Sequence, residues 1–267
     1  MYDRTAEDIG NIVEFGHVNT RVPDQQLATL FYVTGLGLTR DPYLVTGVEN
    51  MWINAGANQF HLPTGTPQVL RGTTVLAMPD LDGLATRLSG VAGSLAQTRF
   101  SFKPGADGIE VTCPWGNRIR CIAGSLGITA VEIATAPGSA AGIARFYREV
   151  FATPATAHSD RAVVPVGLHT KLIYIETDAP QPAYDGAHVQ VALADFSGPH
   201  AKLQKLGLIT EESSQHQYRF HDIADPETGT VWCTIEHEVR SMRHPMFARH
   251  LVNRDPAVNN RNYISSR

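Results

Sequence analysis

The feature that most constrains the fold of this chain is an internal repeat. When the sequence is shifted against itself by 115 positions, several landmarks coincide without a gap, and two aromatic pairs lie on one another. A repeat of this length indicates that one folding unit is present twice. The residues that share this register are Phe31-Tyr32 with Phe146-Tyr147, His17 with Glu132, His61 with Glu176, Thr73 with His188, and Asp80 with Asp195.

Each copy divides further into two similar halves. A half opens with an alternating strand, continues through a Pro or Gly turn into a helix with apolar residues three and four apart, and ends in strand-like runs. The helices that follow Val-Pro-Asp and Met-Pro-Asp have Asp24 and Asp80 as expected N-caps. The order β-α-β-β-β is therefore predicted four times, which is an α+β fold. Residues 12–124 and 127–240 form the two predicted domains.

The composition is that of an ordinary globular protein. With 43% hydrophobic and 18% charged residues in 267, the chain can bury its cores without disulfides. A net charge of −4 with mixed signs gives no electrostatic footprint for nucleic acid or an anionic membrane, so neither is expected as a partner. Cys113, Cys121 and Cys233 match neither a zinc ribbon nor a disulfide framework. Without a signal peptide or a long apolar run, we expect a cytoplasmic protein.

The periodic pattern stops after about Arg240. Residues 241–267 form a basic segment with Pro and Asn and no helical or strand periodicity. We expect an extended C-terminal arm packed on the body or on a neighbouring subunit, with a frayed tail as the alternative. A homo-oligomer is expected, and the arm could be exchanged between its subunits.

Two motifs resemble those of the vicinal-oxygen-chelate superfamily, which includes glyoxalases, bleomycin-resistance proteins and extradiol dioxygenases. The stretch HVNTRVPDQQLATLFYVTGLGL resembles the opening of a module, with a His on the first strand and Phe-Tyr on the helix. ADPETGTVWCTIE is similar to the closing strand, which a metal-binding Glu usually follows. The resemblance covers roughly residues 12 to 238. It implies tandem βαβββ modules that pair into two half-barrel domains, with a site inside each cup.

The resemblance also implies where metal ligands would stand. Four inward positions, on the first and last strands of the modules, supply each cup. Carried over by register, they are His17, His61, Thr73 and Arg120 in the N-terminal cup, and Glu132, Glu176, His188 and Cys233 in the C-terminal cup. A metal that chelates two substrate oxygens needs about three ligands of the His, Asp and Glu type. Only the C-terminal set offers three, so the metal is predicted there.

The N-terminal positions are predicted not to bind metal. Arg120 cannot lose its proton to become a ligand, and Thr73 is a poor one. His17, His61 and Arg120 are therefore assigned to substrate binding. Plainer interpretations remain open: Arg120 could pair with a neighbouring acid, and the two histidines could be satisfied core residues.

The C-terminal residues have plainer interpretations too. A glutamate on a strand commonly faces solvent, which would remove Glu132 and Glu176, and Cys233 could be a small buried apolar residue. Tyr218 and His221 lie where ring-cleaving relatives place acid, base or oxygen-stabilising groups, and they complete a candidate catalytic set with Glu132 and Glu176. Alternation places His237 on the face opposite Glu236 and Glu238, so these three cannot share one ion and are interpreted as edge residues.

Taken together, these residues predict a small-molecule enzyme. Its divalent metal would polarise two adjacent oxygens of an enolisable or catecholic substrate. Fe²⁺ is expected for a dioxygenase, and Mn²⁺, Ni²⁺ or Zn²⁺ for a lyase or isomerase, in which Glu132 or Glu176 could move a proton. Ring-cleaving relatives typically show His, His and Glu, which differs from this C-terminal set. The alternative is a metal-free binding or resistance protein with tryptophans such as Trp52 and Trp232 as apolar walls.

Overall fold

The computed structural model describes residues 2–44 and 47–256, and these form four consecutive βαβββ modules in two mixed sheets. The α+β class and the fourfold element order are confirmed. A short 3₁₀ helix, Thr5–Glu7, precedes them. Module one contains β1 (Ile12–Asn19), α1 (Gln25–Ala28) with a π-helical continuation (Thr29–Gly35), β2 (Thr39–Arg40), β3 (Asn50–Ala55) and β4 (Asn58–Pro63). Module two contains β5 (Gly72–Met78), α2 (Leu81–Leu95), β6 (Ser101–Gly105), β7 (Gly108–Thr112) and β8 (Arg118–Ala123).

The second copy repeats this order. Module three contains β9 (Gly127–Thr135), α3 (Ala140–Phe151), β10 (Thr156–Ala157), β11 (Arg161–Pro165) and β12 (Lys171–Glu176). Module four contains β13 (His188–Leu193), α4 (Ser197–Lys205), β14 (Ile209–Ser214), β15 (Gln217–Ala224) and β16 (Val231–Ser241).

The modules pair in a different order from the one expected. In the first sheet β1 lies antiparallel to β13, which joins module one to module four. In the second sheet β5 lies antiparallel to β9, which joins module two to module three. Consecutive modules meet instead through their helices, α2 against the π-helical continuation of α1 and α3 against α4. Each cup is therefore shared between the two sequence copies, whereas the sequence analysis placed each cup within one copy.

The predicted helix starts are confirmed in module one and module two. The Asp24 carboxylate accepts hydrogen bonds from the backbone amides of Gln26 at 2.8 Å and Leu27 at 2.9 Å. The Asp80 carboxylate accepts one from the amide of Gly83 at 2.8 Å. Both side chains satisfy amides that the first helical turn leaves unpaired.

A buried polar chain sets the orientation of the last strand of module four. The Tyr147 hydroxyl on α3 lies 2.6 Å from the Tyr174 hydroxyl on β12 and 2.6 Å from Nε2 of His237 on β16. Burial lowers the pKa of His237 to about 4, so its ring is neutral and Nε2 can accept a hydrogen bond from the Tyr147 hydroxyl. Because neighbouring residues of a strand point to opposite faces, this inward His237 directs Glu236 and Glu238 to the other face of the sheet.

The C-terminal segment 242–256 packs on module one. Arg249 forms an ion pair with the buried carboxylate of Asp41 at 2.5 Å. The Asn253 side chain bonds both the backbone amide and the carbonyl of Gly56, at 3.0 and 2.8 Å. The expected arm thus lies on the body of its own chain over the described range. Residues 257–267 of the predicted arm lie outside the described residues.

Among the helices of residues 2–44 and 47–256, none combines the length and the apolar character that crossing a membrane would require.

Candidate functional site

Three potential metal ligands meet on the face of the first sheet that His237 does not share. His17 lies on β1, His188 on β13 and Glu238 on β16, and one ligand atom from each lies within 4.8 Å of the others. All three are buried, with exposed fractions of 1%, 6% and 3%. In the described part of the chain no other group of three or more His, Cys, Asp or Glu side chains lies so close. We call these three residues the triad.

The strand register explains why these residues meet. On β16, Glu238 lies opposite Gln190, two residues after His188. On β4, His61 lies opposite Asn19, two residues after His17. In both pairs the last-strand residue lies opposite the residue two places after the first-strand histidine. Residues two apart on a strand face the same side of the sheet, so the last-strand residue shares a face with that histidine.

His188 is held by a neighbouring acid so that one ring nitrogen is left free. Its Nδ1 lies 3.2 Å from Oε1 of Glu236, the residue opposite it on β16. Its Nε2 is buried and has no hydrogen-bond partner in the described residues. A carboxylate on Nδ1–H assigns the proton to that nitrogen, which leaves the lone pair of Nε2 for another ligand.

His17 is similarly unsatisfied. Its Nε2 is buried without a hydrogen-bond partner among the described residues. The ring stands edge-on to Trp52, with centroids 5.0 Å apart, and 5.8 Å from the ring of His188. Burial holds the pKa of His17 well below its ordinary value, against the opposing charge of Glu238. The ring is therefore neutral at pH 7, which is the form that binds metals.

Glu238 is ionised despite its burial. Burial alone would raise the pKa of Glu238, but the adjacent His188 ring and the positive charges of Arg240 and Arg219 hold it well below its ordinary value. Arg219 lies 2.5 Å from Oε2 and Arg240 lies 2.6 Å from Oε1. The contact of Arg240 with Oε1 is an ion pair without hydrogen-bond geometry, and Oε1 has no hydrogen-bond partner among the described residues.

His61 borders the triad without offering it a ligand atom. Its Nδ1 lies 2.8 Å from the Asn19 amide nitrogen, and its Nε2 lies 2.6 Å from the Asn50 amide oxygen. The ring stacks on Trp52 with centroids 3.8 Å apart. Burial first, and then the charge of His188, lowers the pKa of His61 to about 3. Both nitrogens are in use, so His61 serves as a wall of the site.

The triad residues fit a divalent cation. Nε2 of His17, Nε2 of His188 and Oε1 of Glu238 are three buried atoms without hydrogen-bond partners, and all three can donate an electron pair. Leaving such atoms unpaired is costly unless an ion or a water satisfies them. Two histidines and one carboxylate form the donor set that non-haem Fe²⁺ oxygenases use, and it leaves coordination positions for substrate.

The matching positions of the second sheet hold an ion pair instead. Thr73 lies opposite Glu132 in the β5–β9 register, and Glu132 is bonded to the guanidinium of Arg120. This pairing is the plainer interpretation left open for Arg120. Thr73, Arg120 and Ile175 are not ligands of the His, Asp or Glu type, so these positions offer a cation one suitable donor, Glu132.

The four predicted metal ligands are not brought together, and only His188 belongs to the triad. Glu132 lies on the second sheet, and so does Glu176 on β12. The register there places Ile175 opposite Ala134, so Ile175 holds the position equivalent to His61 and Glu176 points to the other face. The Glu176 carboxylate accepts a hydrogen bond from the Ala140 amide at 2.8 Å, where α3 begins.

Cys233 and the two aromatic candidates also lie outside the triad. Cys233 is part of the hydrophobic core, and burial raises the pKa of its thiol to about 11. Tyr218 is buried beneath α4, with its ring 5.0 Å from that of Phe196, and burial raises its pKa. Nδ1 of His221 lies 3.0 Å from Asp222 on the same strand.

Sequence reasoning missed Glu238 and interpreted it as an edge residue. β16 lies between β13 and β15, inside the first sheet. The signal that could have found Glu238 was present, because alternation already placed it with Glu236 on one face. The missing information was that β16 joins the sheet of module one, through β13 and β1.

Comparisons with solved structures identify the fold. Glyoxalase I from Zea mays has a TM-score of 0.56 at 13% identity, with 85% of this chain and 92% of that chain covered. A mutant of the same enzyme gives 0.58 at 13% identity over the same shares. A Bacillus subtilis protein provisionally designated a dioxygenase gives 0.54 at 13% identity, with 89% and 87% covered. No protein-family model and no curated protein matches the sequence. The chain has the vicinal-oxygen-chelate fold.

Proposed function

We propose that the chain is a metal-dependent enzyme that acts on a small molecule with two adjacent oxygen atoms. His17, His188 and Glu238 would hold the cation in the cup that modules one and four share. The single observation that carries this proposal is the convergence of one ligand atom from each of these three buried side chains within 4.8 Å. The similarity to glyoxalase I supports the fold and leaves the reaction to the chemistry of the site.

The donor set favours Fe²⁺ and a ring-cleaving dioxygenase of the extradiol type. Extradiol enzymes were expected to show His, His and Glu, and the triad supplies that set. A bound cation of this kind polarises two adjacent substrate oxygens and can activate dioxygen. His61 supports the assignment because its two nitrogens are occupied, which keeps a fourth protein ligand out and leaves room for substrate.

The surrounding residues would orient the ligands and exclude water. Glu236 holds His188 in the tautomer that presents Nε2. Arg219 bonds both Glu236 and Glu238, at 2.5 Å each, and so keeps the two carboxylates in place. Trp52 covers His17 and His61 with an apolar ring. These contacts fix the triad before any substrate binds, and preorganisation of this kind is what catalysis requires.

Metal analysis tests this proposal. Protein purified without chelator should carry about one equivalent of Fe²⁺ or a related divalent ion, and His17→Ala, His188→Ala and Glu238→Ala should each lose it. The matched control is Glu132→Ala on the second sheet, which should retain the metal. A native protein that binds no divalent ion when one is supplied, or a loss confined to Glu132→Ala, would overturn the proposal.

One observation favours a second function, a metal-free binding protein. Arg219 and Arg240 both contact Glu238, and these guanidinium groups already balance its charge. In that case the three single-alanine variants would change ligand binding without changing the metal content, which stays near zero.

A further inference from the structure

A cavity of about 530 Å³ opens next to the triad, and His17 forms part of its wall. Pockets of a few hundred Å³ are the usual size for small-molecule ligands. Four segments of the chain line it, namely 13–17 of β1, the β3–β4 turn at 56–59, the loop 166–170 of module three and residues 246–251 of the C-terminal segment, together with Gln190 on β13 and Arg240 on β16. The C-terminal segment lies beyond the four modules, so the arm adds a wall that the modules lack.

Gln190 connects this cavity to the triad. It lies opposite Glu238 in the register, two residues from His188, and is only 1% exposed. A Cβ on Gly16 would come within 1.7 Å of the Gln190 side-chain oxygen, so the glycine leaves room for this amide. The Gln190 Nε2 is buried and has no hydrogen-bond partner in the described residues. An unpaired buried donor of this kind calls for an acceptor.

Hydrogen-bond donors dominate the charged lining of the cavity. Arg240 and Arg249 both line it, and the carboxylates that pair with them, Glu238 and Asp41, do not. Nε of Arg249 has no hydrogen-bond partner among the described residues. Each guanidinium has five N–H donors, and the carboxylate partner uses only part of them.

Glu14 is the one carboxylate among the lining residues that the structure describes. Its Oε2 accepts a hydrogen bond from the backbone amide of Ala248 in the C-terminal segment, at 3.0 Å. Burial raises the pKa of Glu14. The hydrogen bond from Ala248 partly offsets the negative charge of Glu14, so Glu14 repels an anionic ligand less strongly.

We propose that the substrate of this site carries a carboxylate in addition to its two adjacent oxygens, and that Gln190 and Arg249 bind this carboxylate inside the cavity. This inference rests on the proposed function, because the adjacent oxygens are placed by the metal on the triad. It makes the C-terminal segment a determinant of specificity, since this segment carries Arg249 and is held on module one in part by the ion pair of Arg249 with Asp41.

Three probes separate the contribution of the two adjacent oxygens to binding from that of the carboxylate. Catechol, 3,4-dihydroxybenzoate and its methyl ester share the same two oxygens, and only the second carries a carboxylate. Their dissociation constants are measured by calorimetry on metal-loaded, full-length protein without dioxygen. Dihydroxybenzoate should bind about tenfold more tightly than catechol or the ester, as a charge-assisted hydrogen bond implies. Metal-stripped protein should lose catechol binding.

Two variants locate the carboxylate. Arg249→Lys keeps a charge for Asp41 but loses the planar fork, and Gln190→Met keeps the size of the side chain without the amide. Each should reduce the preference for dihydroxybenzoate over catechol by severalfold. The matched control is Arg161→Lys, an exposed arginine on the second sheet paired with Asp160, which should keep the full preference.

The outcomes are distinguishable. If catechol and dihydroxybenzoate bind metal-loaded protein equally well, the carboxylate inference is wrong and the proposed function stands. If the preference persists undiminished in both variants, Gln190 and Arg249 do not carry it and the inference is likewise wrong. If no probe binds, or binding ignores the metal, the proposed function fails and the inference fails with it. The comparison of dihydroxybenzoate with catechol and with the ester needs no variant, so it decides even where a substitution prevents folding.

Discussion

At the scale of single residues, Glu236 determines which ring nitrogen of His188 carries the proton. The carboxylate lies 3.2 Å from Nδ1 and is itself bonded to Arg219 at 2.5 Å. An imidazole whose Nδ1–H is held in this way presents Nε2 with its lone pair toward the other two triad residues. Outer carboxylates that orient a ligating histidine commonly matter nearly as much as the ligands.

We predict that Glu236→Gln weakens metal binding about 10- to 100-fold, because the amide cannot hold the Nδ1 proton as firmly. The measurement is the metal dissociation constant by competition with a chromogenic chelator. The matched control is Glu212→Gln, which removes the acid from the exposed His200–Glu212 pair. Equal affinities in wild type and Glu236→Gln would show that the pair does not orient the ligand.

Two of the three triad residues were identified as site positions from sequence, and the third was not. His17 lies within β1 and His188 begins β13, and the register of the repeat located both. Glu238 lies far along the eleven-residue strand β16, whose pairing with β15 is interrupted by register shifts. Counting from the Asp-Pro turn reached Cys233, which faces the core, because local sequence does not show where a bulge interrupts the alternation.

At the scale of elements, α3 holds β12 and β16 through one buried polar chain. Tyr147 bridges Tyr174 and His237, and all three side chains have almost no exposed surface. Buried polar groups of this kind stabilise a fold only while every member keeps its partner. The chain fixes the face of β16 and therefore the direction of Glu238.

We predict that Tyr147→Phe lowers the free energy of unfolding by roughly 1–3 kcal/mol, because His237 and Tyr174 each lose a buried partner. Urea unfolding followed by circular dichroism measures the change. Tyr43→Phe, on a tyrosine that is 74% exposed, is the control and should leave the midpoint unchanged. An unfolding midpoint for Tyr147→Phe as high as that of the control would mean that water replaces the hydrogen bonds that Tyr174 and His237 lose.

Glu176 shows why element register is harder to predict than element order. The ungapped repeat aligned it with His61, but the β9–β12 register places Ile175 there. A shift of one residue moves a side chain to the opposite face of a sheet. Glu176 therefore caps α3, a structural role that the repeat alone could not distinguish from a ligand.

At the scale of the whole molecule, the main departure from expectation is the pairing of the modules. The repeat, the four βαβββ units and the helix caps depend on local sequence, and they were predicted correctly. Which modules join depends on contacts between β1 and β13, whose paired residues lie about 170 to 180 positions apart, and no local pattern encodes that choice. The site moved accordingly from the second sequence copy to the cup that modules one and four share. The homo-oligomer remains a prediction.

The C-terminal segment belongs to this whole-molecule arrangement. We predict that Asp41→Asn exposes residues 242–256 to trypsin, with cleavage after Arg243 roughly tenfold faster, because Arg249 loses a buried carboxylate partner. Mass spectrometry of the timed digest identifies the cut. Asp160→Asn removes the partner of an exposed arginine and should leave the digest unchanged. Indistinguishable rates for Asp41→Asn and wild type would show that the other contacts of the segment suffice.

The proposed divalent cation would lie between modules one and four. Anomalous diffraction from crystals of the metal-loaded protein, collected on both sides of the absorption edge of that metal, locates the ion directly. We expect a single strong peak in contact with His17, His188 and Glu238. A peak beside Glu132 on the second sheet, or no peak at the triad in crystals that contain the metal, would contradict this expectation.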